Sequence, residues 1–470
     1  MSDVAGGAMI VQPHILKKAL DAALSTGADF ADIFLEDTYT SVLSVLSSKP
    51  DQAIVGQLYG AGVRLFFGEE IVYVTTNDLT EAGLVKAALN AAKSRGRGAP
   101  KFISELTPRV FNSIHTFGEK PWEKNRDTKF KWLHALDQHA RAHSSSVTQV
   151  DSSVNEKFQK VQIANSLGVL TYDERAHARI RLETFVENLG QRESSHDNIG
   201  QMGTSELFDG VDLKKFAEDN VDRALKLTKA DYAPAGEMPV VIDNGFGGVI
   251  FHEASGHGLE TTAVAKGASV FAGKLGEKIA NDCVTAIDDG TIQNEWGSLN
   301  VDDEGNKTKR TTLIENGVLK SYIVDEMGSR QTGLEKTGSG RRESYLYAPA
   351  SRMRNTFIAA GKDTFEEMIR DVDYGLYAKK MGGGSVNPGT GDYNFKVTEA
   401  YVVRNGRIEE MVKGACLIGR GIDTLGKITK VSNDLKLATG MCGSVSGSIP
   451  AAVGQPQILV SSLMVGGRAK

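Results

Sequence analysis

Glycine narrows what this chain can become more than any other feature: 51 of its 470 residues are glycine, against a usual ~7%. That density demands many turns and close backbone approaches. It does not signal disorder, because 40% of the residues are hydrophobic, enough apolar mass for a packed core. Two of the glycines follow asparagine between alternating apolar runs, at Asn316-Gly317 and Asn405-Gly406, and this dipeptide is the strongest short-range hairpin signal. Glycine is densest after residue 240, for example at Gly382-Gly383-Gly384. A largely antiparallel β domain with one or two inserted helices is expected there.

The regions before it read as mixed α/β. Pro13 can open a helix, and Ile15, Leu16, Ala19, Leu20 and Ala23 share one helical face before Gly27 stops the pattern. Strand-like runs follow from Ser41 to Leu46 and from Val63 to Thr75, the latter broken by a Gly68-Glu69-Glu70 turn. Leu84, Ala87, Ala88 and Ala91 then mark a second helix, which runs out in the basic, glycine-broken segment Lys93 to Pro100, read as a solvated interdomain loop. The next region repeats this order. A helix near Lys129 to His143 precedes strands around Val161 to Tyr172 and Ala178 to Val186, and a further helix carries Ala217, Val221, Ala224 and Leu225. Two prolines and a glycine between Ala230 and Pro239 mark the best boundary. The expected class is α+β, with regions 1–104 and 105–235 packed together and a β-rich domain over 236–470 that carries the chemistry. At ~150 residues per domain the length suits two or three domains.

With 54 Lys+Arg against 59 Asp+Glu the net charge is −5, which offers a phosphate backbone little to hold. Nucleic-acid binding is therefore not expected. No run approaches the ~18 apolar residues of a membrane span, and Met1 to Gly7 lack the pattern of a secretory signal. Three cysteines, Cys283, Cys416 and Cys442, are too few and too odd for a disulfide framework. A cytoplasmic location is the natural expectation.

One stretch carries chemistry: Phe251-His252-Glu253-Ala254-Ser255-Gly256-His257-Gly258-Leu259-Glu260. Two imidazoles flank an acid, as in the zinc-hydrolase pattern His-Glu-x-x-His, with one residue added. At ~100° per residue an i, i+4 pair is offset by ~40°, whereas i, i+5 is offset by ~140° and cannot share a metal on a regular helix. The pair converges only if the helix bulges or ends between the histidines, which Gly256 and Gly258 permit. A third ligand must come from elsewhere, and a thiolate is the best soft donor. Cys442 lies in the glycine-flanked segment Thr439 to Gly443, which lets its backbone approach a site, while Cys283 and Cys416 read as core cysteines. His139 and His143 have better i, i+4 spacing but no supporting acid or cysteine, and read as an exposed helix end. Asp302-Asp303-Glu304-Gly305 could bind a hard cation, but reads as a charged hairpin tip.

With these residues assembled, the chain resembles the TldD/PmbA family of metallopeptidases, also called modulators of DNA gyrase, in its metal-bearing TldD branch. The resemblance spans the chain and is densest from 250 onward. It rests on His252 to Glu260, Asp302 to Gly305, Leu313 to Gly317, Thr337 to Tyr345, Lys413 to Ala415 with Leu417 to Gly419, and Val465 to Gly467. The PmbA (TldE) branch lacks the His-Glu-x-x-x-His segment. The resemblance implies one zinc per chain on His252, His257 and Cys442, with Glu253 as the catalytic carboxylate. It also implies unfolded peptides as substrates and a PmbA/TldE-like subunit as heterodimer partner; a homodimer is the alternative.

On this reading zinc lowers the pKa of a bound water and polarises the scissile carbonyl, and Glu253 shuttles the proton. Arg341, Arg342 and Tyr345 are candidates for stabilising the oxyanion, or else a salt-bridged hairpin. Glu260 could orient His257 or simply end the helix on the surface. Substrate could add as a β-strand beside a groove lined by Gly383 and Gly384. The chain departs from the family pattern at Arg354, which adds a charge near that groove, at Ser444 and Gly447, and in the glycine-rich lead Asn244 to Val249, expected to weaken a helix. The rival readings are a metal-stabilised scaffold and a non-catalytic regulator.

Overall fold

A computed structural model describes residues 9–96, 98–103, 105–123, 126–387 and 389–467. Met1 to Gly7 and Arg97, on which the leader and loop readings partly fell, lie outside the described residues. The fold is α+β, as expected. Its first half is built on one seven-stranded sheet in the order β3-β2-β1-β5-β6, with β7 and the short β4 both paired to β6. These strands are β1 (Phe30–Leu46), β2 (Lys49–Phe67), β3 (Glu70–Thr76), β4 (Thr107–Arg109), β5 (Val147–Asn165), β6 (Val169–Asn188) and β7 (Gln191–Met202). The sheet therefore runs through both N-terminal regions without a break. Sequence patterning merged the end of β5 with the start of β6. The turn between them, Ser166-Leu167-Gly168, with Gly168 at φ +81°, is hidden inside one apolar run.

Alternation along each strand sorts the two faces of this sheet. On β1 the odd residues Ile33 and Leu35 are buried under helices Pro13–Ala23 and Glu81–Arg95, and Leu43 and Val45 under Arg126–His143 and Leu213–Lys229. The even residues Asp32, Phe34 and Glu36 face the other way, toward the C-terminal half. On β6 the same split leaves Ala178, Ile180 and Leu182 in the helix-side core and turns Arg175, His177, Arg179 and Arg181 to the opposite face.

The C-terminal half wraps a six-stranded, an eight-stranded and a two-stranded sheet around a main apolar core, with a smaller cluster around Met368 and Tyr377. Both Asn-Gly hairpins form, with φ of +48° and +80° at Asn316-Gly317 and of +49° and +70° at Asn405-Gly406, the left-handed pair a tight hairpin requires. The six-stranded sheet ends in the hairpin Lys436–Ser444 and Gly447–Gln455. Gly447 has φ +86°, and a Cβ there would lie 2.5 Å from Glu343, so this departure from the family pattern is demanded by the turn.

Two expectations are overturned by buried charge, the first of them at the contact between the halves. Asp302, Asp303 and Glu304 form a turn, but a buried one. Glu304 accepts from Arg64 at 2.9 Å, and Asp303 from Arg175 at 2.6 Å. Arg64 also pairs with Asp32. The acids read as a solvated tip are the counter-charges of arginines on β2 and β6. Arg354, expected near a substrate groove, is fully buried and pairs with Asp288 at 2.7 Å. Arg342 stacks 4.3 Å from the Phe34 ring centroid and donates to Tyr73. Tyr345 lies over Gly60, where a Cβ would sit 2.4 Å from its ring, and its backbone N–H donates to Glu36 at 2.6 Å. Both side chains clamp the C-terminal half to the first sheet.

Candidate metal centre

Residues 245–259 wind through three kinds of helix in succession: a 3-10 turn at Gly245–Gly248, one α turn at Val249–Phe251 and a π turn at His252–Gly256. The π turn is what the inserted residue required. His257 donates its backbone N–H to the carbonyl of His252, an i→i+5 bond that brings the second histidine back over the first. Buried Phe251, Ala254 and Leu259 anchor this segment in the C-terminal core, each large side chain contributing about 1.5–3 kcal/mol. Two glycines of this stretch are close-approach positions: a Cβ at Gly248 would lie 2.4 Å from the backbone of Gly454, and one at Gly256 2.2 Å from the Met353 sulfur.

The turn faces the Lys436–Ser444 strand, and Cys442 is where the two meet. Its Sγ lies 3.3 Å from His252 Nε2 and 3.4 Å from His257 Nε2. Among the described residues these three form the one His/Cys/Asp/Glu group whose ligand atoms fall within 4.8 Å of one another. A tetrahedral zinc with Zn–N of ~2.0–2.1 Å and Zn–S of ~2.3 Å separates neighbouring ligand atoms by ~3.3–3.6 Å, so the donor set fits zinc in both type and spacing. Burial opposes a thiolate at Cys442, but the His252 and His257 imidazoles overcome it and hold the thiol well below its ordinary range. Burial likewise opposes charge on His257, yet the Glu260 carboxylate and the Cys442 sulfur raise it well above the usual imidazole value. Cys283 and Cys416 are half-buried and remote in contact from this group: Cys283 donates to the Ile428 carbonyl. His143 pairs with Asp222 at 2.7 Å on the neighbouring helix, as a helix-end residue should.

Glu253 follows the first histidine, keeps 24% of its side chain exposed and stands 3.7 Å from His257 Nε2. Glu260 is buried and accepts from His257 Nδ1 at 3.0 Å while its other oxygen takes the Met353 N–H. It orients the imidazole instead of ending a surface helix. Sequence reasoning missed Arg352. It is fully buried, donates to the Cys442 carbonyl, to Ser446 Oγ at 2.7 Å and to the Gly447 carbonyl at 2.9 Å, and lies 4.0 Å from Glu260. One guanidinium thus ties the cysteine hairpin to the acid behind His257. Arg352 lies two residues before Arg354, and nothing in the local sequence marks it out. Arg341 stands nearby with both terminal nitrogens donated to carbonyls, of Met353 and Pro450 at 2.7 Å each. Burial pushes it down to about 9.

A cavity of about 340 Å3 opens beside the Lys436–Ser444 strand, lined by Leu437 to Thr439, by His196 to Gly200 on β7, and by Lys380 to Gly383. Gly383 lines it. Gly384 is needed for packing, because a Cβ there would lie 2.1 Å from the Asn394 carbonyl. Thr439 donates to Asn198 across the gap.

The chain matches three family profiles in order: the PmbA/TldA metallopeptidase domain 1 over 31–95, central domain over 119–228 and C-terminal domain over 235–467. It is 38% identical to the Metalloprotease TldD homolog of Haemophilus influenzae, over 87% of this chain and 86% of that protein. It is 26% identical to the Zinc metalloprotease TldD homolog of Saccharolobus solfataricus, over 96% of this chain and 99% of that protein. TldE from Thermococcus kodakarensis has the same fold, with a TM-score of 0.78 at 18% identity, covering 96% of this chain and 100% of that one.

Proposed function

The chain belongs to the PmbA/TldD metallopeptidase family, and from that premise we propose that it is a zinc-dependent peptidase acting on unfolded or extended peptides. The observation that carries this reading is the convergence of His252 Nε2, His257 Nε2 and Cys442 Sγ at tetrahedral spacing beside the partly exposed carboxylate of Glu253. Three protein ligands leave a fourth position open, the mark of a catalytic rather than a structural zinc. That open position and the adjacent acid weigh against a scaffold.

His252, His257 and Cys442 would hold the zinc, which when bound would supply the Lewis acidity that activates a water and polarises the scissile carbonyl. Glu253 takes the proton of the attacking water on a carboxylate oxygen and delivers it to the leaving amine. Glu260 fixes His257 through Nδ1, so that Nε2 stays turned to the ligand position. Arg352 holds the Cys442 carbonyl, which sets the height of the thiolate strand against the π turn. The cavity beside Leu437 to Thr439 suits an extended chain better than a folded one, and main-chain pairing there gives loose sequence preference. A TldE-like subunit or a second copy of this chain completes the enclosure. The test is Glu253→Gln: zinc is expected to stay bound while hydrolysis of an unstructured peptide falls by at least 10²-fold. Turnover retained in that variant contradicts the assignment.

A further inference from the structure

The face of β6 turned toward the metal-bearing half carries four basic side chains in a row, and three of them are accounted for. Arg175 pairs with Asp173 and Asp303, the His177 Nε2 lies 3.1 Å from the Trp296 carbonyl, and Arg181 pairs with Glu183. Arg179 differs. Its buried Nε has no partner, and among the described residues its guanidinium makes no hydrogen bond or ion pair.

Its place is specific. The guanidinium lies 5.8 Å from the centroid of the Trp296 ring, and Trp296 donates its indole N–H to the Gly440 carbonyl at 2.7 Å, two residues before Cys442. Across the sheet Arg179 is registered with Gly200 and Arg181 with Asn198, and both of those β7 residues line the cavity beside the cysteine strand. A Cβ at Gly200 would stand 3.2 Å from both Arg179 Cβ and the Trp296 ring, so glycine keeps this corner open. A half-buried cation with no anion is costly. Contact with the Trp296 face returns only ~0.5–1 kcal/mol, and the neighbouring Arg181 makes matters worse, since burial and that like charge both lower the Arg179 pKa. The missing anion is therefore expected to arrive with the ligand.

We propose that Arg179 is a specificity residue that receives a carboxylate of the peptide substrate lying along the Lys436–Ser444 strand. The inference rests on the peptidase reading above. A planar guanidinium takes a carboxylate through two parallel bonds. That carboxylate is either an acidic side chain or the peptide's own C-terminus, two sources of one chemistry.

The experiment uses zinc-loaded, full-length protein carrying Glu253→Gln, so that probes stay intact, and reads binding by fluorescence anisotropy. Three labelled unstructured peptides of one sequence serve as probes: neutral and amidated, neutral with a free C-terminal carboxylate, and amidated with one Glu in place of Gln. One of the two carboxylate peptides is expected to bind about ten-fold tighter than the neutral one, a gap of ~1.4 kcal/mol; which one does so identifies the source. Adding Arg179→Gln should erase the gap and leave the neutral peptide within about two-fold, while Arg179→Lys should keep part of it. The melting temperature should hold or rise in Arg179→Gln, because an unpaired charge has been removed. Equal affinity for all three peptides overturns the inference. So does a gap that survives Arg179→Gln, or a loss of neutral-peptide binding together with a fall in melting temperature. Turnover of the neutral peptide by the otherwise unaltered protein is measured separately. Cleavage without a carboxylate gap sinks this inference alone, whereas a gap without cleavage sinks the peptidase reading and leaves Arg179 a carboxylate-binding residue for a peptide ligand that is not cleaved.

Discussion

At the scale of single residues, the centre depends on side chains that never touch the metal position. Arg352 donates its two terminal nitrogens to the Cys442 and Gly447 carbonyls and to Ser446, and only a planar fork reaches all of them. Arg352→Lys is therefore expected to weaken zinc binding by about 10–100-fold, read by competition with a chelator, with the fold retained. Unchanged zinc affinity would show that the hairpin holds its height without the arginine. The two histidines and Glu253 were legible in the sequence as candidates because they fall within one short segment, His252 to His257, and their types name the chemistry. Cys442 was less so, because it lies 190 positions beyond His252 and its glycine context is shared with other turns. Arg352 was not legible, since its role comes from partners that only the tertiary fold brings near.

At the scale of elements, the π turn decides whether the histidines can cooperate. Its entry is pinned by Gly248, whose missing Cβ lets the backbone of Gly454 approach, in the strand next to the one carrying Cys442. Gly248→Ala is expected to cost about 1–3 kcal/mol through overpacking and to lower zinc occupancy along with melting temperature. Gly426→Ala, in the helix Gly421–Lys427 with open space around the position, should be neutral or stabilising. Equal effects at the two sites would mean that the contact with Gly454 does not set the geometry. Spacing alone required a bulge or a helix end, because five residues of regular helix point the imidazoles apart. The glycines of the lead read as weakening a helix that burial must hold, and the segment is buried; the close approach at Gly248 was not legible, since a sequence does not display which backbone will lie against it. The Asn-Gly hairpins were legible because their demand is local and conformational.

At the scale of the whole molecule, two halves are joined through buried charge. Arg64 and Arg175 on the first sheet meet Glu304 and Asp303 of the second half, and Tyr345 fills the hollow that Gly60 leaves on β2. The α+β class and the β-rich second half followed from patterning, but this seam did not: an acidic turn looks the same in a sequence whether water or arginine faces it. At the same seam Arg342 stacks on Phe34 and donates to Tyr73 of the first sheet. The three candidate ligands come from one turn and one hairpin of the second half, distant in sequence and joined only by folding. Metal content is accordingly the measurement that tests the account most directly. Elemental analysis of protein purified without chelator should find about one zinc per chain, and none in Cys442→Ala. Full zinc retention in Cys442→Ala, or no zinc in the unaltered chain, would contradict the three-ligand centre on which the account stands.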